Sequence, residues 1–200
     1  MSEYKNIARF YDPLLYPALQ PVRNKVASEL KNLKAQKIVD LCCGTGNQLK
    51  LLRKKGFEKL YGVDLSAEML AVAAKGIDIN CKLEDASATA FAAGEFDVVI
   101  ISFALHEKPF EIAAAIVREA HRIVRVGGKI MVADYAFDSK AKSIGKFGVS
   151  FVEKNAGDEH YSNFMAFNNY GGLEKLFDSQ KIAKEYRFHF GATVLRVYNT

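Results

Sequence analysis

Lys37-Ile38-Val39-Asp40-Leu41-Cys42-Cys43-Gly44-Thr45-Gly46-Asn47-Gln48 is the stretch on which the reading of this chain turns. Ile38, Val39 and Leu41 make a short apolar run of the kind that forms a buried strand. Gly44, Thr45 and Gly46 then turn the chain, and Asn47 to Lys55 carry a helical pattern. Glycine lets a backbone turn sharply and lets a ligand approach it closely. A strand, a glycine turn and a helix N-terminus together form an edge suited to a nucleotide. The same three parts also make an ordinary tight β-to-α turn, so the rest of the chain has to decide between them.

Working outward, the alternation continues. Lys59 to Val63 reads as a second strand ending in Asp64, and Ser66 can cap a helix from Ala67 to Lys75 that Gly76 would stop. Ile77 to Leu83 reads as a third strand closing on Glu84-Asp85-Ala86, and Phe96 to Ser102 as a fourth, apolar on both faces as interior parallel strands are. A helix over Glu111 to Val124, a turn at Gly127-Gly128 and a strand over Lys129 to Ala133 follow. Strands alternating with helices predict a doubly wound parallel sheet. The end of the chain breaks the pattern: a helix over Tyr170 to Ser179, then strands over Ala183 to Phe190 and Ala192 to Tyr198 separated only by Gly191. So short a link forces an antiparallel pair. The expected fold class is α/β, a mostly parallel seven-stranded sheet with one antiparallel strand near its edge.

Before the organising strand, Met1 to Pro21 is rich in aromatics, among them Tyr11, and Asp12-Pro13 and Tyr16-Pro17 should interrupt any long helix there. From Pro21 a helix should reach Lys34 with Val22, Val26 and Leu30 on one face. Residues 137–169 are the hardest to read and are taken as an insertion that covers the site. The 200 residues are expected to form one domain, with residues 1–34 as an N-terminal arm and helix.

Composition bounds the function. The chain is half hydrophobic, about a quarter charged, and carries a net charge of +5. No apolar run approaches the ~20 residues of a membrane span, and the N-terminus has no secretory apolar core, so the expected location is the cytoplasm. The basic runs at Lys50 to Lys55 and Lys140 to Lys146 read as solvated surfaces, short of the contiguous stripe that nucleic acid requires. Cys42, Cys43 and Cys81 show no paired framework, and the histidines show no metal-ligand spacing.

The Gly44-Thr45-Gly46 turn, Asp64, Asp85-Ala86 and Ser102 all fall at C-terminal ends of consecutive strands, the edge at which doubly wound folds hold ligands. For an adenosine derivative each has a task. Backbone N–H groups of the turn can face a carboxylate, Asp64 can accept from both ribose hydroxyls, Asp85 from the adenine amino group, and the Ala86 N–H can donate to the ring. A nicotinamide or flavin dinucleotide wants G-x-G-x-x-G, and its third glycine would fall at Leu49, so that fingerprint fails.

This pattern resembles the class I S-adenosylmethionine-dependent methyltransferases. V-D-L-C-C-G-T-G-N is similar to their glycine motif, Y-G-V-D-L-S to the ribose-binding acid, L-E-D-A to the adenine contact, I-I-S-F-A-L-H to the fourth motif and I-V-R-V-G-G-K-I-M-V to the start of the fifth strand. Two departures are Cys42, where the family often has its first glycine, and Val126, where proline often precedes the glycine pair. Within the class, the N-terminal F-Y-D, C-G-T-G-N, Y-G-V-D-L-S-A-E-M-L, I-S-F-A-L and the C-terminal Gly191-Ala192-Thr193-Val194 resemble the ubiquinone/menaquinone-biosynthesis methyltransferases. The resemblance implies S-adenosylmethionine as methyl donor, with contacts at Tyr11, Asp40, Cys42, Gly44, Thr45, Gly46, Asn47, Asp64, Leu65, Met69, Glu84, Asp85, Ala86 and Ser102. It implies a small acceptor, aromatic or quinone-like, no metal and no nucleic acid, since S-F-A-L is unlike the N-P-P-Y of adenine amino methylation. His106, just after the fourth motif, is the first candidate for a general base, with His160, Tyr161 and His189 behind it. The rival from another class is a non-catalytic S-adenosylmethionine-binding partner subunit. Association of the N-terminal arm with a membrane surface is compatible with either, and the oligomeric state is not legible.

Overall fold

The computed structural model describes the backbone of residues 3–75 and 79–200 and the side chains of residues 17–75 and 79–200. Its seven-stranded sheet has the order β3-β2-β1-β4-β5-β7-β6. The strands are β1 (Lys37–Leu41), β2 (Lys59–Asp64), β3 (Asn80–Leu83), β4 (Phe96–Ser102), β5 (Val124–Tyr135), β6 (Ile182–Phe188) and β7 (Thr193–Asn199). β1 to β5 pair in parallel, and β7 runs antiparallel between β5 and β6. The reversed strand is therefore next to the edge, and β6 forms the edge itself. The order reverses between β1 and β4, which opens a crevice at their C-terminal ends.

Apolar residues on alternate strand positions bury both faces. Val39, Leu41, Val99 and Ile101 pack on α4 (Phe110–Ile123) through its Ala113, Ile116, Val117 and Ala120. Ile38, Val98 and Ile100 pack on α1 (Glu3–Asn32) and α2 (Asn47–Lys54) through Val22, Val26, Leu30, Leu49 and Leu52. The i, i+4, i+8 spacing of Val22, Val26 and Leu30 places them on one helical face as expected, and each such burial stabilises by about 1.5–3 kcal/mol. Because side chains alternate along a strand, Asp40 and Ser102 share a sheet face with Ile38 and Ile100, at the crevice end.

Ser66 caps α3 (Ala67–Ala73), accepting from the Met69 N–H at 3.2 Å. Elsewhere the structure corrects the sequence. α1 continues through Pro13, Pro17 and Pro21 instead of breaking at them. Their four-residue spacing puts the missing N–H groups along one side of the helix, so the defects do not fall around its whole circumference. β5 begins at Val124, and its pairing jumps from Phe96↔Val124 to Val98↔Lys129, so the Gly127-Gly128 turn is a bulge within the strand. The helix expected over Tyr170 to Ser179 shrinks to α7 (Leu173–Leu176), since Gly171 and Gly172 take φ of 104° and 59°. The final hairpin turns through His189–Gly191 rather than Gly191 alone, because His189 and Phe190 leave the strand with φ of 49° and 57°. The unreadable insertion folds as α5 (Ser143–Lys154) and α6 (Asp158–Asn169). The expected helix stop at Gly76 and the start of the third strand at Ile77 lie outside the described residues.

Candidate active site

A cavity of about 900 Å³ occupies the crevice. It is at the upper end of the range that holds drug-sized ligands. Its wall includes Asp40, Cys42, Gly44, Thr45, Asn47, Asp64, Leu65, Met69, Asp85, Ala86, Ser102 and His106, which the sequence had nominated from four separate segments. Gly46 and Glu84 are not on that wall, and the Tyr11 side chain lies outside the described residues.

The two glycines of the turn serve different ends. Both have left-handed backbone, at φ 53° for Gly44 and 70° for Gly46. A Cβ on Gly44 would meet nothing within 4 Å, so its missing side chain leaves open space on the cavity wall. A Cβ on Gly46 would come within 3.1 Å of the Ala73 Cβ, so that glycine permits the turn to pack on α3. Cys42 adopts φ 61° at the position where the resembling family often has glycine. Phe103, just after β4, has φ 54°. Two non-glycine residues held in this region side by side at a sheet edge are typical of a site that fixes its backbone.

The acids are tied to the turn. Asp64 accepts from the Gly44 N–H through Oδ2 at 2.8 Å and from the Ser66 N–H through Oδ1 at 2.9 Å. The Gly46 N–H donates to the Cys43 carbonyl at 2.9 Å. The N–H groups of both glycines are thus engaged within the protein, against the expectation that they face a ligand carboxylate. Arg23 of α1, which the sequence did not nominate, brings a guanidinium to the same wall. Asp85 uses Oδ1 to accept from the Ser87 N–H and hydroxyl at 2.8 and 2.7 Å, an Asx turn that fixes its carboxylate. Glu84 instead accepts from the Ala90 N–H at 3.1 Å, which holds it to the following loop.

Two buried polar atoms at the heart of the cavity have no protein partner among the described residues, Asp40 Oδ1 and Ser102 Oγ. Burial raises the Asp40 carboxyl well above the usual range, and the neighbouring Cys81 and Asp64 push it the same way against Arg23. Such atoms ordinarily find partners in a folded protein, so both fit a ligand that brings polar groups to this edge.

A second group of side chains lines another part of the cavity. His106 Nδ1 lies 2.6 Å from Asp134 Oδ1, and Nε2 lies 3.5 Å from Glu153 Oε2. Glu153 Oε1 accepts from the Tyr135 hydroxyl at 2.9 Å, and Asp134 also accepts from the Leu105 and Tyr135 N–H groups at 3.1 and 2.7 Å. Burial alone would lower the His106 pKa, but the charge and hydrogen bond of Asp134, joined by Glu153, raise it to about 10. Burial would raise Glu153, yet His106 and Tyr135 hold its carboxyl below the usual range. Carboxylates at both ring nitrogens thus favour the protonated imidazole. His160 of α6 also reaches the wall, 3.5 Å from Glu107. His189 bonds Thr193 and the Ala18 carbonyl away from the cavity, and Tyr161 packs in a small apolar cluster with Phe164.

Asp134, Tyr135 and Glu153 were missed. Asp134 had a signal, an acid closing a strand just as Asp64 does. Tyr135 and Glu153 had none, because their meeting depends on how α5 folds back over β5.

Residues 38–128 match the methyltransferase-domain family, a span that runs from β1 into β5 and contains every nominated cofactor position except Tyr11. Over that span, a little under half of its length, the chain is similar to methyltransferase domains. It is 28% identical over 174 residues to the demethylmenaquinone methyltransferase of Lactococcus lactis, covering 83% of this chain and 62% of that protein. Its likeness to that of Staphylococcus aureus is 30% over 138 residues, covering 64% of this chain and 56% of the relative. The chain thus spans about three fifths of the length of these curated relatives. The fold of a putative S-adenosylmethionine-dependent methyltransferase from Methanococcus maripaludis superposes with a TM-score of 0.67 at 16% identity, over 98% of this chain and 93% of that one. The two chains thus share their overall fold.

Proposed function

We propose that this chain moves the methyl group of S-adenosylmethionine to a small acceptor, aromatic or quinone-like in character. The nucleoside would lie along the β1 and β2 ends, with the ribose hydroxyls on Asp64 and adenine between Asp85 and the Ala86 N–H. The methionine ammonium would meet Asp40 Oδ1 and Ser102 Oγ, and its carboxylate Arg23. The donor supplies an activated methyl on a sulfonium, so the protein's task is chiefly alignment of nucleophile, carbon and sulfur.

One observation favours an enzyme over a pure binder. The cavity that holds the nucleoside positions continues to His106, Tyr135, Glu153 and His160, which the donor does not need. In this reading His106 is a fixed cation that keeps Glu153 ionised and oriented, and Glu153 with Tyr135 positions an acceptor hydroxyl. Similarity to the demethylmenaquinone methyltransferases supports a quinol-like acceptor, and the apolar Ile112, Ile116 and Phe103 on the wall suit an aromatic ring.

The test is formation of S-adenosylhomocysteine from S-adenosylmethionine, with a naphthoquinol or a catechol and with no acceptor. Acceptor-dependent product is expected, reduced by at least about tenfold in Glu153→Gln if a charged hydrogen bond to the acceptor is lost. Donor binding without product from any acceptor would instead favour the partner-subunit reading.

A further inference from the structure

α5 has two unlike faces. Its inner face carries Val149 and Glu153, with Ala156 just beyond, and Glu153 and Ala156 belong to the cavity wall. Its outer face carries Ile144, Phe147 and Phe151, at 62%, 74% and 63% exposure. Their i, i+3, i+7 spacing makes them one stripe along the helix. Phe190 at the β6–β7 turn is also 61% exposed, and it lies beside the first turn of α5, its Cβ 3.2 Å from where a Cβ on the buried Gly145 would sit. Isolated exposed apolar residues need no explanation, but a contiguous group of large ones does.

Lysines border the stripe at both ends. Lys140, Lys142 and Lys154 are exposed at its two ends, and the Lys142 N–H bonds the Phe190 carbonyl at 3.0 Å. Glu153, the sole acid in α5, is buried and faces Tyr135. Asp138 and Glu185 are held by Arg187, Lys140 also pairs with Glu185 at 3.5 Å, and the exposed Asp158 and Glu159 open α6 beyond Lys154.

We propose that the outer face of α5 and the neighbouring β6–β7 turn dock on an anionic lipid surface, with the phenylalanines in the interfacial layer and the lysines on the headgroups. Apolar residues flanked by lysine are what peripheral attachment requires. A second copy of the chain fits less well, since a two-fold contact with antiparallel helices would set the lysines at one end of the stripe against those at the other. No helix among the described residues is long and apolar enough to cross a membrane, so attachment is to the surface. The surface stands on its own residues, whatever the acceptor is. It would also place the cavity wall formed by Glu153 and Ala156 at the bilayer.

The experiment uses the full chain with vesicles of phosphatidylcholine alone or mixed with phosphatidylglycerol. The sequence contains no tryptophan, so Phe147→Trp supplies a single reporter in a variant that keeps an exposed aromatic. Co-sedimentation with the mixed vesicles only, a blue-shifted reporter that brominated lipid quenches, and weakening by salt are expected. Phe147→Asp with Phe151→Asp should lower vesicle affinity at least about tenfold. An unshifted reporter with no sedimentation overturns the proposal, as does undiminished binding of the folded double aspartate variant. A dimer in sedimentation velocity that the same aspartates dissociate would also overturn it, in favour of self-association.

Discussion

Asp40 is where one residue carries most information. Its carboxyl is buried, raised in pKa and has an oxygen without a partner, while Asp64 is held by two backbone N–H groups. If a ligand ammonium docks on Asp40, it favours the ionised carboxyl, so binding should lower the raised pKa and release more protons as the pH falls. Calorimetry in two buffers of different ionisation enthalpy measures this. A buffer-dependent enthalpy in wild type that disappears in Asp40→Asn is expected, and equal enthalpies in wild type would place the ammonium elsewhere. His106 gives a second prediction through stability. Its pKa is raised from 6.5 to about 10 on folding, so its contribution is complete below pH 6.5 and is lost as pH rises through 10. The wild-type melting temperature should fall over that window more steeply than that of His106→Asn. Parallel curves would mean that the imidazole is neutral in the fold.

At the scale of elements, the strands were legible because their signal is local. Phe96 to Ser102 has apolar residues on both faces and ends where predicted, and Ser66 has the N-cap chemistry that its position asks for. The acids that line the crevice were legible for the same reason, as strand ends followed by turns. α5 and α6 were not, because glycines and a scatter of phenylalanines give no clean period, and the role of Glu153 appears only when α5 meets β5. α1 misled in the other direction, since prolines spaced by four are compatible with a helix that each alone argues against. The seat of α5 makes a prediction. A Cβ on Gly145 would press on the His189 carbonyl, whereas one on Gly148 would meet nothing within 4 Å. Gly145→Ala should destabilise by about 1–3 kcal/mol in urea unfolding. Gly148→Ala should be neutral or stabilise by up to about 1 kcal/mol. Equal effects would mean that α5 does not rest on the β6–β7 turn.

For the molecule as a whole, the sheet order puts the acids of the crevice, the His106 cluster and an exposed apolar helix on neighbouring parts of one fold. The central claim is that the crevice between β1 and β4 takes S-adenosylmethionine, and calorimetric binding of S-adenosylhomocysteine tests it most directly, with Asp64→Ala beside the wild type. Binding in the micromolar range is predicted, weakened by about 1–3 kcal/mol in the variant through loss of charged hydrogen bonds to ribose. Since Asp64 also anchors Gly44 and Ser66, a melting curve of the variant must show that it is folded. No detectable heat with folded wild-type protein, or equal affinity in the variant, would contradict the account.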